Sequence, residues 1–295
     1  MSWLQIRIQT AKKHTEQSED CLLEVGAQSV TFTDAADQPI LEPGVDETPI
    51  WDEVVVTGLF SDDSPLPALL QHIESCLKGI DYRCESEILE EQNWTRTWMD
   101  HFHAMAFGKR LWVVPLHIEP PDPQAVNLRL DPGLAFGTGT HPTTSLCLRW
   151  LDSNITDQGT LLDYGCGSGI LAIAACMLGV KQADGVDIDP QALSATQDNA
   201  EVNQVSQQIH CYLPDEYNRQ HTHTQYDIVM ANILSGPLAE LAPTLAAHCR
   251  SGGDIVLSGI LEEQAQNVLA AYADYFSMDA PVVDGDWVLL HGHRK

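Results

Sequence analysis

Leu161-Leu162-Asp163-Tyr164-Gly165-Cys166-Gly167-Ser168-Gly169-Ile170 is the stretch whose reading decides the fold of this 295-residue chain. An apolar run ends in an acid, and three glycines then fall on alternate positions. An apolar helix over Leu171–Leu178 is predicted to follow at once. Glycine permits the sharp turn and lets a ligand approach bare backbone. The first N–H groups of the new helix have no partner inside it and face such a ligand. A strand, a glycine turn and a helix in this order place a nucleotide-like cofactor at the carboxyl edge of a parallel sheet. The turn sits mid-chain, so the first half must carry something else.

Two common glycine fingerprints fail here. G-x-G-x-x-G needs a glycine where this chain has Ile170, and a P-loop needs a Gly-Lys-Ser/Thr that never comes. What remains is G-x-G-x-G after an acid, which resembles the loop of class I S-adenosylmethionine-dependent methyltransferases. A tight turn without a ligand is the alternative.

The next predicted strand, Ala183-Asp184-Gly185-Val186-Asp187-Ile188-Asp189, ends in two acids, and Asp187 lies 22 residues past Gly165. A carboxylate there suits the two hydroxyls of a ribose, which are donors seeking an acceptor pair. Asp189 precedes Pro190, the pattern of an N-cap followed by the first helical residue, and is assigned a structural role. Asp187 is expected to stand free at the strand tip.

Strand and helix alternate through the rest of the second half. Helices are predicted over Pro190–Asn203, Pro237–Cys249 and Glu262–Phe276. Strands are predicted over Gln208–Leu213, Tyr226–Ala231, Asp254–Ile260, Ala280–Val283 and Asp286–His291. Such alternation means a parallel sheet covered on both faces. The short turn at Gly285 makes the last strand antiparallel, as a single edge strand. Asn232, at the tip of the Tyr226–Ala231 strand, faces the reacting carbon if the cofactor lies where the glycines put it. Many amine and amide methyltransferases carry an Asn or Asp followed by two prolines and an aromatic at this strand tip; this chain keeps the Asn and lacks the rest, so comparison with them implies a flexible aliphatic amine rather than a flat, stacked substrate. A turn residue capping the next helix is the other reading.

Before the sheet, Leu130–Thr144 holds three glycines and four threonines, and Pro142 then opens a helix. Thr143 and Thr144 fall in its first turn, where N–H groups and hydroxyls can bind a carboxylate. At this point the chain resembles a known family. The stretch from Gly137 to Thr144, the loop from Asp163 to Leu171, Asp187-Ile188-Asp189 and Ala231-Asn232-Ile233-Leu234 are similar to the bacterial ribosomal protein L11 methyltransferase (PrmA) family. The likeness runs over nearly the whole chain, including Trp98-Met99-Asp100 and the strand at Trp112. It implies a Rossmann-like class I methyltransferase sheet with S-adenosyl-L-methionine as methyl donor. It implies Thr144, Gly165, Asp187 and Asn232 as cofactor ligands. It also implies a protein N-methyltransferase that trimethylates lysine side-chain and N-terminal amines of one large-subunit ribosomal protein. A class I methyltransferase acting on a small-molecule amine would share every one of these residues. No general base is assigned.

Forty-two acids against fifteen lysines and arginines give a net charge of −27. Phosphate binding needs a basic surface, so direct nucleic-acid binding is not expected. A very basic protein partner fits through steering and complementarity. Residues 1–100 hold 20 acids and 6 bases, and residues 101–295 hold 22 and 9. Acid density is therefore highest in the first third, which is expected to meet the basic substrate; general acidity for solubility is the other account.

That first third reads as a small ferredoxin-like α/β domain, β-α-β-β-α-β, from Trp3–Gln9, Glu16–Val25, Ser29–Thr33, Glu53–Leu59, Leu66–Lys78 and Tyr82–Glu87. A helix is predicted over Ile88–Met105, with Trp94, Trp98, Phe102 and Met105 at helical spacing as packing residues. The expected domains are thus residues 1–87, a helical linker at 88–106, and the methyltransferase domain at 107–295. Eight cysteines without C-x-x-C spacing suggest free thiols in a reducing cytoplasm, and Cys166 is taken as a packing residue. Three His-x-His pairs, His101/His103, His221/His223 and His291/His293, have no nearby cysteine or carboxylate at metal-site spacing; they are read as surface histidines, and no metal is expected. No apolar run is long enough to span a bilayer, and a monomer is expected.

Overall fold

The computed structural model describes residues 2–36, 38, 49–89, 103–130, 139–156 and 159–295. The chain forms two compact units, residues 1–98 and 99–295.

In the first unit, β1 (Trp3–Ala11) alternates strictly: Leu4, Ile6, Ile8 and Thr10 are buried and Arg7 is exposed. A strand turns successive side chains to opposite faces, so this pattern commits one face to a core. β1 pairs antiparallel with β3 (Glu53–Ser61) and with β4 (Tyr82–Leu89), and β2 (Ser29–Asp34) pairs with β3. The order is β2-β3-β1-β4. α1 (Thr15–Glu24) and α2 (Leu66–Cys76) add Cys21, Leu22, Leu69 and Ile73 to the core beneath the sheet. This is the ferredoxin-like arrangement.

The helix predicted over Ile88–Met105 is corrected at both ends. Ile88 and Leu89 continue β4, where they pair with Leu4 and Trp3. Met105 opens β5 (Met105–Phe107), which pairs with β6 (Leu111–Val114). Ladder hydrogen bonds at the two ends outweigh the helical spacing of apolar residues. Residues 90–102, including Trp94, Trp98, His101 and Phe102, lie outside the described residues.

In the second unit β5, β6 and β7 (Val126–Arg129) form a small sheet. Then come α3 (Pro142–Asn154), β8 (Thr160–Tyr164), α4 (Ile170–Leu178), β9 (Gln182–Val186), α5 (Pro190–Val202) and β10 (Ile209–Tyr212). They are followed by α6 (Pro214–Gln220), β11 (Tyr226–Asn232), α7 (Ser235–Glu240), α8 (Ala242–His248) and β12 (Cys249–Leu261). The chain closes with α9 (Ala265–Tyr272), β13 (Phe276–Met278), β14 (Val282–Asp284) and β15 (Trp287–Arg294). The large sheet runs β10-β9-β8-β11-β12-β15-β13, with β14 also on β15. The five strands from β10 to β12 are parallel. Alternate residues of each strand feed two cores. Leu161, Ile228 and Met230 pack with α3 and α4 on one face, and Leu162, Val229 and Ala231 with α6 to α9 on the other. From β8 the chain winds outward through β9 and β10, then returns to the other side of β8 with β11. The reversal makes the carboxyl ends of β8 and β11 the topological switch point, the place where open α/β sheets bind ligands.

Three expectations are corrected. The helix expected over Pro237–Cys249 is two short helices that meet at Leu241, because Pro243 in the first turn of α8 has no N–H to give an uninterrupted helix. The helix expected over Glu262–Phe276 stops at Tyr272, and Phe276 pairs with Arg294 instead. β15 is antiparallel but is not an edge: β12 flanks it on one side, β13 and β14 on the other. Among the described residues no helix is long and apolar enough to cross a membrane.

Candidate functional site

The glycine turn is built as its sequence demands. Gly165, Gly167 and Gly169 have φ of 85°, 55° and 76°. L-residues with a Cβ enter this left-handed region at a cost, which accounts for glycine at alternate positions. Gly165 is also crowded: a Cβ on it would stand 2.2 Å from Ile233 Cγ2, just beyond β11. Gly165 and Cys166 donate their N–H groups to Val186 O, at 2.7 and 3.2 Å, which ties the turn to the end of β9. From α5, Thr196 Oγ1 donates to Gly167 O at 3.1 Å and Asn199 Nδ2 to Ser168 O at 2.9 Å. Both loop carbonyls are therefore held from behind. The Cys166 thiol is buried, and burial pushes its pKa far up, so it is held as a neutral thiol that packs. All eight cysteines are free.

Asp187 does not stand free. Its Oδ2 accepts the Gly167 N–H at 2.9 Å and its Oδ1 accepts the Asp189 N–H at 3.0 Å. The carboxylate thus binds the glycine turn to the tip of β9, and each oxygen keeps a further lone pair. Asp189 caps α5: its Oδ1 accepts the Gln191 N–H at 2.8 Å, and Pro190 follows in the first turn.

On the other side of β8, the strand β11 delivers Asn232. Its Nδ2 donates to Thr144 Oγ1 at 3.3 Å. Thr144 is fully buried in the first turn of α3. The neighbouring Thr143 hydroxyl lies 2.8 Å from His141 Nδ1, the residue that caps α3. Thr144 Oγ1 thus accepts from Asn232 and keeps its own O–H to donate, while the Thr143 hydroxyl contacts His141. The segment 131–138 lies outside the described residues. The structure brings Thr144 and Asn232 into contact, and links Gly165 to Asp187 through Val186 and Gly167. All four sit at the carboxyl ends of the neighbouring strands β9, β8 and β11 or on the helix turn facing them.

Asp163 is the residue that sequence reasoning passed over. It closes the apolar run of β8 and is fully buried. Its Oδ2 accepts the Ala172 N–H at the start of α4, 3.2 Å away, while its Oδ1 has no partner among the described residues. Burial pushes its pKa up to about 7; the Ala172 hydrogen bond opposes this and repulsion from Asp187 adds to it. A buried acid with one unsatisfied oxygen, close to a second carboxylate, is a setting that a cation relieves. The signal was present as an acid at the end of an otherwise apolar strand. Ile188 (84% exposed) and Leu234 (55% exposed) were missed too: each is a bare apolar side chain one or two residues past Asp187 and Asn232.

The raised Asp163 pKa has a pH consequence. Between about pH 4 and pH 7 the folded chain keeps a proton that the unfolded chain has lost, so stability falls as pH rises through that window. Asp163→Asn removes the titration. The melting temperature of Asp163→Asn relative to the native protein is expected to climb from pH 5 to pH 8, and parallel profiles would show that this carboxyl titrates normally.

A family model described as ribosomal protein L11 methyltransferase (PrmA) matches residues 2–295. A ribosomal protein L11 methyltransferase of Pseudomonas savastanoi pv. phaseolicola is 52% identical over 298 residues, covering 100% of both chains. One of Idiomarina loihiensis is 46% identical over 295 residues, covering 100% of this chain and 99% of the other. The crystal structure of a ribosomal protein L11 methylase from Lactobacillus delbrueckii subsp. bulgaricus is 33% identical with a TM-score of 0.59, covering 66% of this chain and 100% of that one. Full-length identity near one half, on a sheet whose switch point gathers the glycine turn, Asp187, Thr144 and Asn232, places this chain in the ribosomal protein L11 methyltransferase family.

Proposed function

We propose that this chain transfers methyl groups from S-adenosylmethionine to lysine side-chain and N-terminal amines of ribosomal protein L11, up to trimethylation. The reading is carried by the Asn232–Thr144 contact at the switch point, opposite the glycine turn tied to Asp187. The residues present suit this donor. It is a cation, and Asp163 offers an unsatisfied buried carboxylate oxygen beside the turn. Asp187 keeps acceptor lone pairs for ribose hydroxyls, Gly165 leaves bare backbone for close approach, and exposed Ile188 offers an apolar face to a base.

The donor supplies a methyl group already activated on a sulfonium. The protein's work is alignment of an incoming amine with that group. A lysine amine has an ordinary pKa of about 10.4 and must shed its proton before attack. Removal from water and a neighbouring positive charge both lower that pKa, so no dedicated base is assigned. Thr144 holds the Asn232 amide through its hydroxyl, and the Asn232 carbonyl oxygen then accepts from the amine N–H. Thr144→Val removes the hydroxyl at nearly constant volume. A loss of one net hydrogen bond, about 1 kcal/mol, is expected to lower kcat/KM about fivefold, with the melting temperature little changed. An unaltered kcat/KM would remove the orienting role.

The acid-rich residues 1–98 receive the basic substrate, drawn by complementary charge; raised salt should therefore raise KM for the protein substrate. We place this activity in the cytoplasm, on a monomer that makes no nucleic-acid contact. The decisive experiment is transfer of labelled methyl from S-adenosylmethionine to unmethylated large-subunit proteins, resolved by mass spectrometry. Label on amines of L11 alone is the expected result. Intact cofactor binding with no labelled ribosomal protein would move the assignment to a small-molecule amine.

A further inference from the structure

We propose that Asp254, His291 and His293 form a binding site for a divalent late first-row cation such as Zn²⁺, at the end of the sheet away from the methyl-transfer edge. His291 and His293 are alternate residues of β15, so both side chains leave the same face. Asp254 of β12 sits directly across from His293 in the antiparallel ladder, and His291 pairs with Val256. Ligating atoms of the three residues all lie within 4.8 Å of one another. His291 Nε2 is 2.8 Å from Asp254 Oδ1, and His293 Nδ1 is 3.0 Å from that same oxygen. Tetrahedral coordination with bonds of about 2.0–2.1 Å puts ligand atoms about 3.4 Å apart. A few tenths of an ångström of opening would admit the ion.

Asp279 supplies the second reason. Its Oδ2 is 2.7 Å from His291 Nδ1. His291 thus has a carboxylate oxygen against each ring nitrogen. A neutral imidazole can donate to only one of these oxygens; a second proton on the ring, or a cation between the other nitrogen and its carboxylate, satisfies both contacts. With the ion bound, each contact is satisfied. Nδ1–H donates to Asp279, Nε2 ligates the ion, and Asp254 and His293 complete three protein ligands, leaving one position to water. A carboxylate that fixes the tautomer of a ligating histidine is the usual outer-shell arrangement of such sites. Imidazole and carboxylate ligands together suit Zn²⁺ and its neighbours in the series. The His291 side chain is 16% exposed and that of His293 is 56% exposed, which leaves an entry path. The spacing of the two histidines along the chain carried no carboxylate with it; both acids come from other strands or their ends.

The site does not belong to the methyl-transfer machinery. Asp254 precedes Ser258, the ladder partner of Asn232, by four residues on β12, roughly 13 Å along the strand. An ion there clips the C-terminal strand β15 to β12, with Asp279 holding the end of β13 through His291.

The test is a titration of the full-length, chelator-stripped protein with Zn²⁺, followed by calorimetry and melting temperature, and with Co²⁺, followed by visible absorption. One equivalent lost in both His291→Ala and His293→Ala is expected. Asp279→Asn should keep that equivalent and weaken it 10- to 100-fold. A second grouping, Glu24, His72 and Cys76, lies at the surface of α1 and α2, with Cys76 half-buried, so His72→Ala serves as control and should leave the equivalent intact. Melting without added metal checks that each variant folds. Titrations of His291→Ala and His293→Ala that match the native protein, or a native protein that binds neither ion, would overturn the proposal.

Discussion

Asp187→Ala is expected to lower the affinity for S-adenosylhomocysteine by about 100-fold or more. The carboxylate does two jobs at once. It accepts backbone N–H groups from Gly167 and Asp189, at 2.9 and 3.0 Å, and so sets the spacing between the glycine turn and the tip of β9. Under the proposed function it also accepts the two ribose hydroxyls. Hydrogen bonds to a charged acceptor contribute about 1.5–3 kcal/mol each, and partial exposure of the site keeps the sum at the lower end, about 3 kcal/mol for two. Asp187→Asn should fare little better. Its NH₂ group would face a backbone N–H, donor against donor, on one side or the other. Calorimetric titration of both variants measures this, with a melting curve to confirm that β9 and the turn remain folded. An affinity within threefold of the native value would remove Asp187 from the binding site and leave it as a loop clamp alone.

Gly165→Ala is expected to combine two penalties that can be separated. A non-glycine residue at φ near 85° costs on the order of 1–3 kcal/mol. The new Cβ would also stand 2.2 Å from Ile233 Cγ2, a clash that belongs to overpacking and costs typically about 1–3 kcal/mol more. Together they are expected to lower the melting temperature by several degrees and to push the turn away from the ligand. Ile233→Ala in the same chain removes the clash and leaves the backbone strain. The double variant should therefore be less destabilised than the sum of the two single ones, with a coupling of 1 kcal/mol or more by double-mutant cycle. Additive effects would mean that β11 moves aside freely and that the dihedral alone calls for glycine. Loss of cofactor affinity in Gly165→Ala that Ile233→Ala does not restore would show that the backbone conformation, rather than the neighbour, shapes the ligand site.

Much of this molecule follows from local pattern. The alternation Leu4, Ile6, Ile8 specifies β1 and its buried face, because a strand has a period of two. Gly165, Gly167 and Gly169 specify a turn that only residues without a Cβ adopt cheaply, and Asp189-Pro190 specifies the start of a helix. These are decisions of a few neighbouring residues, so they are visible before any fold exists. The resemblance of the sequence to its family is carried by such stretches.

Tertiary structure decided what depends on partners distant along the chain. Asp187 proved to be a clamp as well as a candidate ligand, because Gly167 comes to it from 20 residues away. Thr144 found its hydrogen-bond partner in Asn232, 88 residues on. Burial turned Asp163 from an acid at a strand end into one with a pKa near 7. Phe276 left a predicted helix because Arg294 offered it a ladder partner. His291 and His293 looked like surface histidines until β12 and the end of β13 brought Asp254 and Asp279 beside them. Dihedral preference and hydrophobic period are properties of neighbours in sequence, whereas desolvation, hydrogen-bond partnership and charge proximity are properties of neighbours in space.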